Sequence, residues 1–159
     1  TTLKAFEIAL RKIKNLKLIL IGYGPERKNI INLAKNLKIN KNIIIINKAY
    51  NPYPYMKRSN LLILTSVYEG FPNVLVESLT IGTPVISTNA NAGASEILLN
   101  GKGGDLIKIG DYRNLARKIL NHFSSPKILI KKARIAKKNL YRFETKRHSK
   151  IYTNLFQKI

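Results

Sequence analysis

The sequence predicts an α/β fold, a parallel sheet covered by helices on both faces, and three observations predict it. First, short apolar runs at residues 16–21, 43–46, 61–65 and 83–88 alternate with longer stretches whose apolar residues recur at helical spacing. Second, these runs are near-continuously apolar, as in strands buried on both faces. Third, Gly, Pro or Asn follows each run before the next helical stretch, the punctuation of repeated strand–helix units. With 159 residues the chain is one domain, 1–159, long enough to bury a core.

Taken in order, residues 1–14 carry Leu3, Phe6, Ala9, Leu10 and Ile13 on one helical face, with Thr1 or Thr2 as cap. The strand at 16–22 ends in Gly22-Tyr23-Gly24-Pro25-Glu26, where Pro25 is placed to open the next helix. That helix buries Ile30, Ile31, Leu33, Ala34 and Leu37, and Asn42 leads into the strand Ile43–Ile46. Asn51-Pro52-Tyr53-Pro54-Tyr55-Met56 runs into a helical turn before the strand at 61–65. A helix then stops at Gly82, and the strand at 83–88 enters through Pro84. A loop at 89–93, a helix at 94–99 and a plain turn at 101–104 lead to a strand at 105–107. Asp111 caps a helix to about residue 123. Pro126 starts another, expected to reach about Arg142, and a last helix spans 144–156.

Composition narrows the function. There is no cysteine, so disulfides and thiolate metal sites are excluded. No apolar run approaches the length of a membrane span, and residues 1–13 mix charge among apolar residues unlike a signal peptide, so a cytoplasmic protein is expected. The net charge of +21 has two readings. One is a polyanionic partner, nucleic acid or an anionic membrane surface. The other is compositional bias, since Lys, Ile and Asn are over-used together and Lys far exceeds Arg.

Several motifs fail on inspection. Gly22-Tyr23-Gly24 is followed by Pro25-Glu26-Arg27 instead of a third glycine, and no acid stands some twenty residues on. What remains is a helix-entry turn whose glycines admit a ligand close to backbone. Gly101-Lys102-Gly103-Gly104 lacks the Lys-Ser/Thr order of a phosphate loop. His122 and His148 stand alone, without metal-ligand spacing, and are expected as surface or partly buried side chains. Tyr50, Tyr53 and Tyr55 suit base stacking or turn packing equally.

One stretch survives: Tyr68-Glu69-Gly70-Phe71-Pro72-Asn73-Val74-Leu75-Val76-Glu77-Ser78. It holds two of the eight acidic residues, with seven residues between them, on either side of a strand-to-helix turn. Gly70 allows a strained turn, and Pro72 or Asn73 takes the first helical position. The helix N-terminus offers amide N–H groups and partial positive charge to phosphate oxygens. Carboxylates are poor phosphate ligands but good acceptors for vicinal hydroxyls, so Glu69 and Glu77 suit a sugar and a ribose flanking a diphosphate. The alternative is a capping acid and a solvated helix face.

This stretch, with Gly82-Thr83-Pro84-Val85-Ile86 after it and Gly22-Tyr23-Gly24-Pro25-Glu26-Arg27 before it, resembles the donor-binding motif of retaining glycosyltransferases of family 4 (glycosyl transferases group 1). The loop at 51–55 and the turns at 92–97 and 101–104 extend the resemblance over nearly the whole chain. It implies the C-terminal, nucleotide-sugar-binding Rossmann-like half of a GT-B enzyme. Glu69 would contact the transferred sugar near the reacting centre, and Glu77 the ribose. Gly70, Phe71, Pro72, Asn73, Val74 and Leu75 would hold diphosphate and sugar, largely through backbone amides. Gly22 would flank the donor, and Tyr50, in the loop at 48–51, the base.

The resemblance further implies a UDP-sugar donor, no metal or cofactor, and retaining transfer of a hexose to a polysaccharide, lipopolysaccharide or glycolipid on the cytoplasmic face of the membrane. Compared with the family, the acceptor domain, the first strand and the cationic loop after that strand are absent from this sequence. The sheet should therefore show a gap, or direct pairing of the missing strand's neighbours. The acceptor half would come in cis or in trans, and alone the fragment should not transfer sugar. A basic module for nucleic acid or anionic membrane, and an inactive remnant of a split gene, are the competing readings; under the glycosyltransferase reading, no nucleic acid is expected.

Overall fold

The structure, a computed structural model, describes residues 1–90 and 92–157, without the side chains of 148 and 151. The positions expected for His148 and for Asn91 in its loop lie outside the described residues.

Among the described residues five short strands form, and every pairing is parallel. β1 (Leu18–Ile21) pairs with β2 (Ile43–Ile46), Leu18 opposite Ile43. β3 (Leu62–Leu64), β4 (Val85–Thr88) and β5 (Asp105–Ile107) form a separate sheet in that order. The two ladders share no pairing. Direct pairing of β1 with β3 is not found among the described residues.

The connections show which strands are the inner edges. Between β1 and β2 runs α2 (Arg27–Asn36), whose Ala34 joins the core cluster of α1 (Thr2–Lys12) and α6 (Tyr112–Ser124). Between β3 and β5 run α4 (Asn73–Ile81) and α5 (Ala92–Ile97), on a second core cluster. Right-handed crossovers on opposite faces carry the strands in opposite directions. β1 and β3 are therefore the inner edges, and the chain changes direction between them.

Side chains of β4 alternate between the two cores. Ile86, with Ile107 and Ile63, faces Leu3 and Phe6 of α1 and Leu115 and Ile119 of α6. Val85, with Leu62 and Leu64, faces Leu75 and Leu79 of α4, Ile97 of α5, and Ala133 and Ala136 of α7 (Pro126–Lys138). Leu75 and Leu79 are wholly buried, each stabilising the fold by about 1.5–3 kcal/mol. Helices thus cover both faces of the three-stranded sheet. The two-stranded sheet is covered on one face only, leaving Ile19, Ile21 and Ile44 exposed.

Some boundaries differ from expectation. α7 ends at Lys138 instead of reaching Arg142, because Asn139 caps it and donates a side-chain hydrogen bond back to the Ile135 carbonyl. A 3-10 turn over Leu140–Phe143 then swings Phe143 edge-on to Phe71, with ring centroids 5.1 Å apart. Pro25 does not open α2: Pro25 and Glu26 form a turn closed by Arg27 N–H to the Gly24 carbonyl, and Glu26 is the N-cap. α5 starts at Ala92, earlier than expected, and ends at Ile97. α8 (Thr145–Phe156) closes the chain after the short α3 (Tyr53–Arg58) and the rest.

Candidate functional site

Within each sheet the strands run parallel, so the segments after β1 and β2 leave one end of the first sheet and those after β3 and β4 one end of the second, the ends that a doubly wound arrangement places together. Those after β1 and β3 flank the point where the chain changes direction, where open α/β sheets bind ligands. Gly22, Tyr50, the 69–77 stretch and the start of α5 all belong to this end.

The turn after β3 is held from below. Thr88 at the end of β4 donates its hydroxyl to the Ser66 carbonyl at 2.7 Å. Ser66 in turn donates its hydroxyl to Glu69 Oε1 at 2.6 Å. Glu69 is half-buried, and this bond fixes its direction. Pro72, buried, is the N-cap of α4, and Asn73 is its first helical residue. Glu77 follows one turn in, about 6 Å along the axis. It is half-buried, with no side-chain hydrogen bond or ion pair among the described residues. The ion pairs found among these residues involve Glu7 and Asp105, so neither carboxylate of the motif is met by a protein cation.

The amide pattern corrects one expectation. Asn73 N–H donates to the Phe71 carbonyl and Leu75 N–H to the Pro72 carbonyl, both at 2.9 Å. The tight entry to α4 consumes these two donors, and the Leu75 side chain belongs to the core. Among the described residues, the N–H groups of Phe71 and Val74 have no acceptor within the chain. These amides, with that of Gly70, are left without a partner at the entry of α4.

Gly70 also differs from expectation. Its φ lies outside the left-handed region, and a Cβ there would meet nothing within 4 Å. Open space, not strain, distinguishes the position. The demanding glycine is Gly93 in α5, where a Cβ would stand 2.8 Å from the Gly70 carbonyl oxygen and 3.1 Å from Pro72 Cδ. α5 therefore lies directly against the backbone of the motif. Gly22 has φ +146°, which favours glycine, and its N–H bonds the Ile46 carbonyl at 2.9 Å.

On the β2 side, Tyr50 is 95% exposed, with the Lys48 ammonium 5.0 Å from its ring centroid. Arg27 Nε donates to Asn47 Oδ1 at 3.0 Å, tying the start of α2 to this loop. Tyr53 and Tyr55 are part of α3, also exposed. Among the described residues, no cluster of three or more His, Cys, Asp or Glu is placed to hold a metal.

His122 is far from this end. It is buried, more so than the exposed or partly buried side chain expected, and its Nε2 pairs with the Asn60 carbonyl at 2.9 Å, just before β3. Burial pushes its pKa below the usual value, against the opposing pull of the Asn60 carbonyl and Asp105. Asp105 bridges Lys118 at 3.0 Å and Lys132 at 2.5 Å. Burial raises its pKa, but the hydrogen bonds and charges of the two lysines outweigh that and hold the carboxyl below its ordinary value.

With this geometry in place, comparison with known proteins is direct. Residues 1–142 match the family described as "Glycosyl transferases group 1". The chain belongs to that family. A relative, the capsular polysaccharide biosynthesis glycosyltransferase CapM of Staphylococcus aureus, is 32% identical over 119 residues, 74% of this chain and 31% of CapM. The N-acetylgalactosamine-N,N'-diacetylbacillosaminyl-diphospho-undecaprenol 4-alpha-N-acetylgalactosaminyltransferase of Campylobacter jejuni is 31% identical over 101 residues, covering 64% of this chain and 28% of that enzyme. The chain thus spans about a third or less of the curated relatives it matches. The fold superimposes on a crystal structure of S. aureus TarM, a mutant in complex with Fondaparinux, alpha-GlcNAc-glycerol and UDP. The TM-score is 0.89 at 21% identity, over 98% of this chain and 32% of TarM. The architecture is that of one Rossmann-like half of a GT-B glycosyltransferase.

Of the residues expected at the site, Glu69 lies in the turn before α4, Phe71 and Val74 flank its N-cap, Glu77 lies one turn in, and Gly70 faces open space. Asn73 and Leu75 contribute structure in place of free donors. Sequence reasoning missed Ser66, Thr88, Phe143 and the role of Gly93. Each acts through a tertiary contact, and only the position of Ser66, three residues before Glu69, gives a local signal.

Proposed function

We propose that this chain is the donor-binding, C-terminal half of a group 1 glycosyltransferase, taking a nucleoside diphosphate sugar, a UDP-sugar by preference, for retaining transfer of a hexose. The acceptor is a polysaccharide, lipopolysaccharide or glycolipid presented by a separate acceptor half. One observation carries the reading. Two half-buried carboxylates without protein cations stand on either side of two unoccupied amides at the entry of α4. A diphosphate at Phe71 and Val74 N–H would meet the positive end of α4. Glu77 would accept from ribose hydroxyls and Glu69 from sugar hydroxyls, its Ser66 bond keeping the carboxylate aimed. Amides that favour the charge developing on the leaving diphosphate supply the electrostatic part of catalysis. That TarM is seen with UDP, and that CapM is named for capsular polysaccharide synthesis, support this reading.

The test is ligand-induced thermal stabilisation. UDP should raise the Tm of the 159-residue chain, UMP less so, and Glu77→Ala should weaken the UDP response. No response to UDP, GDP, ADP or their sugars, at millimolar concentration, would remove the donor reading.

A further inference from the structure

The outer face of α7 has no place in the donor reading. Its buried side is Leu129, Ala133 and Ala136. At 100° per residue, the opposite side is Lys127, Lys131, Arg134 and Lys138, a stripe within about 60° of arc and about 16 Å long. All four are exposed, and among the described residues none pairs with a carboxylate. Lys132, which does, is turned inward to Asp105. No acidic residue occurs anywhere in α7; Glu144, beyond its end, borders a groove with Lys137 and Lys138. Beside the stripe, about 70–90° round the helix from its centre, stand Ile128, 65% exposed, and Ile135, 39% exposed.

We propose that this face docks on an anionic lipid surface, the four cations at the headgroups and the two isoleucines entering the acyl boundary. The chemistry selects lipid over nucleic acid. Aliphatic side chains beside the cations have a partner in a bilayer and none on a polynucleotide, where exposed aromatics would stack. A solvated lysine face alone does not account for Ile128, an isoleucine left largely in water next to four positive charges. α7 packs on α4, at a helix spacing of about 8–10 Å. Docking through α7 therefore keeps the entry of α4 close to the leaflet. The inference is independent of the donor reading, because it involves neither Glu69 nor Glu77.

The experiment is co-sedimentation of the 159-residue chain with vesicles, in the absence of nucleotide. The vesicles are phosphatidylcholine alone, or phosphatidylcholine with about one third phosphatidylglycerol, at low and high salt. Binding is expected only to the anionic vesicles. Each cation at the leaflet strengthens partitioning roughly five-fold, so K127Q/K131Q/R134Q/K138Q should lose at least about 100-fold. A control with the same charge change, K12Q/K14Q/K28Q/K35Q, should lose less than about ten-fold. I128S/I135S, with all charges kept, should lose about ten-fold. Far-ultraviolet circular dichroism confirms that each variant is folded. Equal losses in the two lysine sets would reduce the effect to net charge and overturn the proposal. So would binding to neutral vesicles, or unchanged binding by I128S/I135S. A polynucleotide that binds more tightly than vesicles, with the isoleucine variant unaffected, would assign the face to nucleic acid.

Discussion

Gly93→Ala tests whether α5 supports the donor turn. A Cβ at this position would lie 2.8 Å from the Gly70 carbonyl oxygen, 3.1 Å from Pro72 Cδ and 3.5 Å from Phe71 Cα. Two of these three neighbours are backbone, and the third is a proline ring, so no side chain can swing away. Either α5 or the 70–72 turn must retreat by about half an ångström. Overpacking of this kind destabilises by about 1–3 kcal/mol. For a domain of this size that lowers Tm by about 2–12 °C. If the turn is what moves, the Phe71 and Val74 amides shift relative to Glu77, and UDP affinity should fall further than stability alone requires. Differential scanning fluorimetry with a UDP titration reads both quantities. Gly24→Ala, with nothing within 4 Å and φ outside the left-handed region, is the neutral control. A Gly93→Ala protein with wild-type Tm and wild-type UDP response would refute the idea that α5 braces the motif.

Glu77→Gln keeps the shape but loses the charge; losing a charge-assisted hydrogen bond of about 1.5–3 kcal/mol should weaken UDP at least ten-fold by calorimetry, with Tm unchanged in the absence of ligand. Ser66→Ala frees Glu69 and should lower affinity for the UDP-sugar while leaving that for UDP intact; equal losses for both would contradict the assignment of Glu69 to the sugar. Asp105→Asn leaves Lys118 and Lys132 without their carboxylate and should cost about 1–3 kcal/mol in urea unfolding. The carboxyl is held below its ordinary 3.8, so its contribution is full above that pH and is lost as pH falls through the folded value. His122 behaves in the same direction at higher pH: its folded pKa is below 6.5, so the unfolded chain takes the proton first and stability declines as pH drops below about 6.5. A Tm series in which His122→Gln and wild type decline in parallel through that window would exclude His122 as the source.

Apolar runs and turn residues made the strands and their parallel order legible, because they are local signals. The site residues Glu69 and Glu77 were legible for a different reason: carboxylates are scarce here, and these two share one turn. The split between β1 and β3 could be anticipated only from the family resemblance. What the sequence did not show depends on contacts across it. Nothing local distinguishes Gly93 from Gly70, yet one is locked against backbone and the other faces open space. Nothing near Asn73 or Leu75 reveals that their amides would close on Phe71 and Pro72. The full burial of His122 was not legible because its partner, the Asn60 carbonyl, and the packing of α6 on α7 are contacts across the fold.

β1 and β2 reach the rest of the molecule without a hydrogen-bonded ladder, chiefly through α1, which packs on α6 at one side and on α2 at the other. Coupling between the two parts of the chain runs through that helix and the core cluster it shares with both. Amide hydrogen exchange should therefore divide the protein into two foldons. The β1–α2–β2 part should open at lower free energy than β3 to α7, the amides of Ile19 and Ile21 first. A strand added between β1 and β3 would merge the two into one unfolding unit, so the completeness of the sheet would be written in the shape of the melting curve.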